Sequence, residues 1–132
     1  MTRRLIAVAL LLMLVVTACG RSSPVERAIA TVNDDDKFST GAESAQSVGR
    51  VADIMRNDGD ECVRDHDARD PRCKARLAAS AYAQVLAVVL LDCTTPDRTE
   101  ARRALTRYLR AVGRVGNDGD PPPTPFPPRC AQ

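Results

Sequence analysis

The first apolar cluster of the chain, Leu5 to Val16, is nearly unbroken, whereas three of the four that follow are periodic. Val25, Ile29 and Val32 recur at helical spacing and predict a helix over about 24–33. Ala45, Val48, Ala52 and Met55 predict a second over about 41–57. A third, about 71–92, is apolar on nearly all sides from Val85 to Leu91, and a helix of that kind is expected at the centre, covered by the others. The fourth, about 96–115, has the cleanest period, with Ala101, Ala104, Leu105, Tyr108, Leu109, Val112 and Val115 on one side and Gly113 and Gly116 to end it.

Capping chemistry agrees with these boundaries. Ser23-Pro24, Asp70-Pro71 and Thr95-Pro96 each place an acceptor before a proline, which costs no hydrogen bond at the first helical position. Ser23 with Glu26 and Thr40 with Glu43 have the spacing of capping boxes. Only Thr94 and Thr95 follow Cys93 before the fourth helix, so helices three and four are expected as an antiparallel hairpin. Asn-Asp-Gly-Asp occurs at both 57–60 and 117–120, and each copy reads as a helix stop. Beyond the second copy, six of the eight residues from Pro121 to Pro128 are proline, which predicts an extended polyproline II segment.

The fold class expected is all-α, a small disulfide-stapled bundle of about four helices with an extended proline-rich tail. Composition supports it: aromatic residues make up 3% of the chain and Trp is absent, so Val, Leu, Ile and Ala must fill the core. Ala loses no side-chain entropy in a helix and permits close packing.

The apolar run at the start belongs to a different device. Met1-Thr2-Arg3-Arg4 is a positive lead, the run after it is about a dozen residues long, and Val16-Thr17-Ala18-Cys19-Gly20 sets small residues before a cysteine. This resembles the lipobox of bacterial lipoproteins, and an Arg-over-Lys bias resembles that of GC-rich, actinobacterial-type genomes. The resemblance covers roughly the first 20 residues. It implies removal of residues 1–18 and a lipidated Cys19 that holds the chain on the outer face of the cell membrane. Residues 19–23 are then the lipidated terminus, 24–116 the helical domain and 117–132 the tail. Two or three acyl chains suffice for stable attachment. The later stretch 77–91 is 15 residues long and contains Ser80, Tyr82 and Gln84. A bilayer needs about 20 residues, so a core helix is expected there instead.

Export also bears on the other cysteines, Cys62, Cys73, Cys93 and Cys130. An even number in an oxidising compartment predicts two disulfides. Cys73 with Cys93 is excluded if a helix separates them, because twenty helical residues rise about 30 Å and a bridge tolerates about 7 Å between Cα atoms. Geometry favours Cys62 with Cys73 at a helix–helix corner, and Cys93 with Cys130. Eight residues of polyproline span roughly 25 Å and return the tail to the far end of helix three. Zinc is the competing use of four cysteines, but no CxxC spacing is present.

Charge excludes one class and leaves a question. The whole chain has 19 basic and 17 acidic residues, and both surplus charges are Arg3 and Arg4, so the part from Cys19 onward is formally neutral. A strongly basic nucleic-acid binder is not expected. Residues 96–115 hold six arginines against two acids, a net of +4, with Arg103, Arg107, Arg110 and Arg114 on one stripe. Residues 53–70 hold seven acids against three arginines, a net of −4. The stripe is a candidate contact for anionic lipid or envelope polymer. The expected alternative is that the two segments neutralise each other at one corner of the bundle.

No catalytic set is legible. His66, the only histidine, stands between Asp65 and Asp67, and flanking carboxylates favour a basic imidazole; no serine or thiol nucleophile accompanies it. An EF-hand loop aligned on Gly59 puts Ile54 and Arg56 at ligand positions. Haem would have one histidine and few aromatic walls. No cofactor or metal is expected. The residues point to a non-enzymatic interaction or structural component of the cell envelope with an envelope protein as partner, the alternative being a carrier of a small apolar ligand or lipid.

Overall fold

The structure, a computed structural model, describes residues 22–92 and 98–127. Its described residues form four α-helices: α1 (Pro24–Val32), α2 (Gly41–Asp65), α3 (Pro71–Asp92) and α4 (Arg98–Gly113), with a short 3-10 turn at Asp35–Lys37. Among these residues there is no strand. Cys19, Cys93, Cys130 and the Thr95-Pro96 start lie outside the described residues, and with them the expected lipidation, the Cys93–Cys130 bridge and the cap of the fourth helix.

Two of the helix starts are made as their sequences require. The Ser23 hydroxyl accepts from the Glu26 amide at 3.2 Å while the Glu26 carboxylate accepts from the Ser23 amide at 3.2 Å, a complete capping box ahead of Pro24. Asp70 caps α3, its carboxylate accepting from the Arg72 amide at 2.9 Å beside Pro71. The box expected at Thr40 is only half made. Thr40 accepts from the Glu43 amide at 3.1 Å, but the Glu43 carboxylate turns to the Ser39 hydroxyl, which lowers its pKa.

The helices run up, down, up, down. Cys62 is joined to Cys73 with 5.3 Å between Cα atoms, Asp58 pairs with Arg76, and the Ser80 hydroxyl donates to the Ala52 carbonyl at 2.8 Å, a consistent antiparallel register for α2 and α3. Asn33 donates to Thr106 at 3.3 Å and Asp35 pairs with Arg102, while Gly113 meets Val25, so α4 runs antiparallel to α1. Each helix packs on its two neighbours, α2 on α3 most extensively, so α1 and α3 are diagonal.

The core is aliphatic, with Met55, Leu86, Leu90, Leu105, Leu109 and several valines fully buried. The two tyrosines meet edge to face, Tyr82 against Tyr108 at 5.4 Å between ring centres. Burial, with Tyr108 adding to it, pushes the Tyr82 hydroxyl pKa up, and that hydroxyl has no partner among the described residues. Buried Ser44 and Ser47 are satisfied by the carbonyls of Phe38 and Lys37, which fastens the α1–α2 connection onto α2.

Two expectations are corrected. Helix α2 does not stop at Asn57-Asp58-Gly59-Asp60 but continues to Asp65. A Cβ on Gly59 would lie 2.6 Å from Leu77 Cδ2, so the glycine makes room for α3 against α2, and this packing outweighs its poor helix propensity. The second copy does turn the chain, with Gly119 N–H bonded to Gly116 O at 3.3 Å. Helix α3, in turn, is not covered all round. Val85, Val88 and Leu91 are 50%, 58% and 63% exposed. A four-membered ring presents each helix with only two neighbours, and among the described residues the outward side of α3 has none.

Candidate functional site

Three surfaces carry the chemistry, and the first is the corner where α2 meets α3. A groove of about 330 Å³ there is lined by Asp58, Glu61, Cys62, Asp65, His66, Arg72 and Arg76 with Pro24. His66 follows the last turn of α2, its backbone N–H donating to Cys62 O at 2.9 Å, and its residue is exposed. Asp70 is held by the Arg72 guanidinium through contacts of 3.0 and 2.7 Å. The hydrogen bond from Arg72 lowers the Asp70 pKa from 3.8 to about 2 and raises that of Arg72. Asp58 receives Arg76 at 2.7 Å. Two of the seven acids in residues 53–70, Asp58 and Asp70, are thus engaged by arginines of α3. Among the described residues no ion pair links residues 53–70 to α4, although Arg110 and Arg114 share a groove with Asp58 as the expected proximity of the two segments requires. No three His, Cys, Asp or Glu side chains among the described residues converge as metal ligands.

The second surface is the arginine face of α4. Arg103, Arg107, Arg110 and Arg114 are all exposed, but they do not act as one stripe. Arg103, Arg107 and Arg110 join Arg102, Thr106 and Asn33 around a groove of about 320 Å³ between α4 and the end of α1. Arg114 lies at the other end of the bundle, where with Arg110 it lines a groove of about 390 Å³ beside Ser23, Pro24, Asp58 and Arg76. Arg102, which the periodic stripe omits, is the best-held of the set. It pairs with Asp35 and lies over the Phe38 ring at 4.7 Å. Arg107 reaches Glu100 at 3.5 Å, whereas Arg103 and Arg110 have no ion pair among the described residues.

The third surface is apolar. Val85, Val88 and Leu91 are three apart along α3 and form an exposed row continued by exposed Ala81. By length and a mean hydropathy of 1.4, α3 is the one described helix able to cross a membrane, but its other side packs along α2. The excess of large apolar residues between Val85 and Leu91 was the signal for this row; a coarse rule that apolar helices are covered misplaced it.

The tail occupies a fourth position. Thr124 meets the Tyr108 hydroxyl at 3.3 Å, and Pro122, Pro123 and Pro125 face Ala104, Tyr108 and Ala111. The segment therefore runs back along α4 from its C-terminal end, with Phe126 97% exposed.

These residues define a small all-helical bundle, linked by a disulfide and carrying an extended proline-rich tail. No protein-family model, curated protein or solved structure matches the chain.

Proposed function

We propose that this chain is a non-enzymatic, lipid-anchored helical module on the outer face of the cell membrane that docks another envelope protein on the outward side of α3. The observation that carries the proposal is the row of Val85, Val88 and Leu91, exposed by half or more on a helix whose other side is core. Covering such half-exposed side chains yields about 1 kcal/mol each, which favours association without being needed for folding.

Position supports a protein as the occupant. Val88 is fifteen residues along α3 from Cys73, about 22 Å up the bundle, and Cys73 marks the end at which Ser23 and Pro24 also lie. Only residues 20–22 separate Cys19 from Ser23. The anchor enters on α1, diagonal to α3, so an anchored bundle resting on its α1 side turns the apolar row away from the lipid. A carrier of a small apolar ligand finds less support, because each of these four grooves among the described residues contains at least one arginine.

The test is native electrophoresis of detergent extracts. The wild-type chain is expected in a complex larger than its monomer, and Val88→Gln with Leu91→Gln is expected to release it while melting unchanged. A monomeric wild type, or a complex indifferent to the substitutions, would sink the docking proposal. Attachment is checked separately by intact mass of the membrane-extracted chain: a mature product beginning at Cys19 with acyl additions is expected, and an unmodified Cys19 contradicts it.

A further inference from the structure

We propose that the groove between α4 and the end of α1 is a binding site for a phosphate group. Four guanidinium side chains, Arg102, Arg103, Arg107 and Arg110, surround it with Thr106 and Asn33, and none of its lining residues is acidic. Like charges gathered on one groove repel one another except where an anion offsets them, and among the described residues carboxylates reach only two of these four. Arginine is also the side chain best shaped for phosphate, since its planar fork gives two parallel hydrogen bonds to two oxygens.

The available acids do not account for the cluster. Asp35 engages Arg102 and Glu100 lies 3.5 Å from Arg107. Arg103 and Arg110, which are exposed and on the groove, have no ion pair among the described residues. The groove is also built on its inner side. Phe38, itself buried, backs the Arg102 guanidinium at 4.7 Å, and the Asn33 amide is fixed by the Ile29 carbonyl at 2.8 Å and Thr106 at 3.3 Å. Arg102 Nε is buried with no acceptor among the described residues, a charged donor left unsatisfied.

The same chemistry occurs in an anionic lipid headgroup and in soluble phosphate. Arg110 lines both this groove and the one beside Ser23 and Pro24, so the arginine face is continuous with the place where the chain leaves its N-terminal segment. A bundle anchored at Cys19 and lying on its α1–α4 side would meet headgroup phosphates there. That orientation rests on the anchor proposed above; the groove's affinity for phosphate does not.

Titration of the full detergent-solubilised chain with inorganic phosphate, dihexanoyl phosphatidylglycerol and dihexanoyl phosphatidylcholine tests the inference. Saturable binding is expected, weakened at least tenfold by Arg103→Gln with Arg110→Gln. The control pair Arg50→Gln with Arg56→Gln, exposed on α2 and equal in charge change, is expected to shift it less than twofold. Unchanged helical circular dichroism shows that each variant is folded. Tighter binding of phosphatidylglycerol assigns the site to a headgroup, and equal or tighter binding of inorganic phosphate assigns it to soluble phosphate. Absence of saturable binding by either, or equal losses in both variant pairs, overturns the site whether or not Cys19 is lipidated.

Discussion

Helix α3 has two apolar sides put to opposite use. Its inward side sets Ala75, Ala79, Tyr82, Ala83, Leu86 and Leu90 against α2 and α4, all buried, whereas Val85, Val88 and Leu91 stand in solvent. Hydropathy along a helix therefore reports what that helix is able to bury, not what this chain alone covers. The difference separates stability from recognition. Leu86→Ala removes a fully buried side chain and is expected to cost 2–5 kcal/mol, about 3 in a core of this size, in a urea melt. Val88→Gln, two positions on, is expected to stay within about 0.5 kcal/mol.

The corner at which α2 meets α3 sharpens the contrast, since it is closed three ways, by Cys62–Cys73, Asp58–Arg76 and the contact at Gly59. Replacing both cysteines by serine frees a short loop in the unfolded chain and is expected to lower stability by about 3 kcal/mol, provided the wild type is measured oxidised. Gly59→Ala is expected to cost about 1 kcal/mol, because overpacking against Leu77 exceeds the gain in helix propensity. Gly49→Ala, in the same helix, meets nothing within 4 Å and is expected to stabilise by about 0.5–1 kcal/mol. If the two glycines respond alike, the close approach of α2 and α3 is not what holds Gly59.

The smallest effect belongs to Asp70. Its pKa is depressed from 3.8 to about 2 by the Arg72 hydrogen bond, so its contribution is complete above pH 3.8 and is lost as pH falls through 2. Asp70→Asn is expected to lower the melting temperature slightly near neutrality and to flatten its decline in that acid window. A variant with the same acid limb as the wild type would show that the pair contributes nothing to folding.

What was legible in the sequence follows the range of the interactions. The starts at Ser23 and Asp70 were legible because a cap and its partner lie two or three residues apart. The Cys62–Cys73 bridge was legible because an antiparallel hairpin brings its own ends together. The same register pairs Asp58 with Arg76, a single contact that charge totals by segment do not resolve. Gly59 was misread because local propensity cannot register that Leu77 fills the space a side chain would need. Of the arginine groove, periodicity found Arg103, Arg107 and Arg110, but Arg102 and Asn33 enter it only through the packing of α1 on α4.

The most direct measurement is photo-crosslinking in intact cells from a reactive residue placed at Val88, with one at Arg50 on α2 as the matched exposed control. The account predicts a discrete protein adduct from position 88 and none from position 50. Lipid adducts alone, no adduct, or the same adducts from both positions would contradict the claim that α3 keeps one side for the core and the other for a partner.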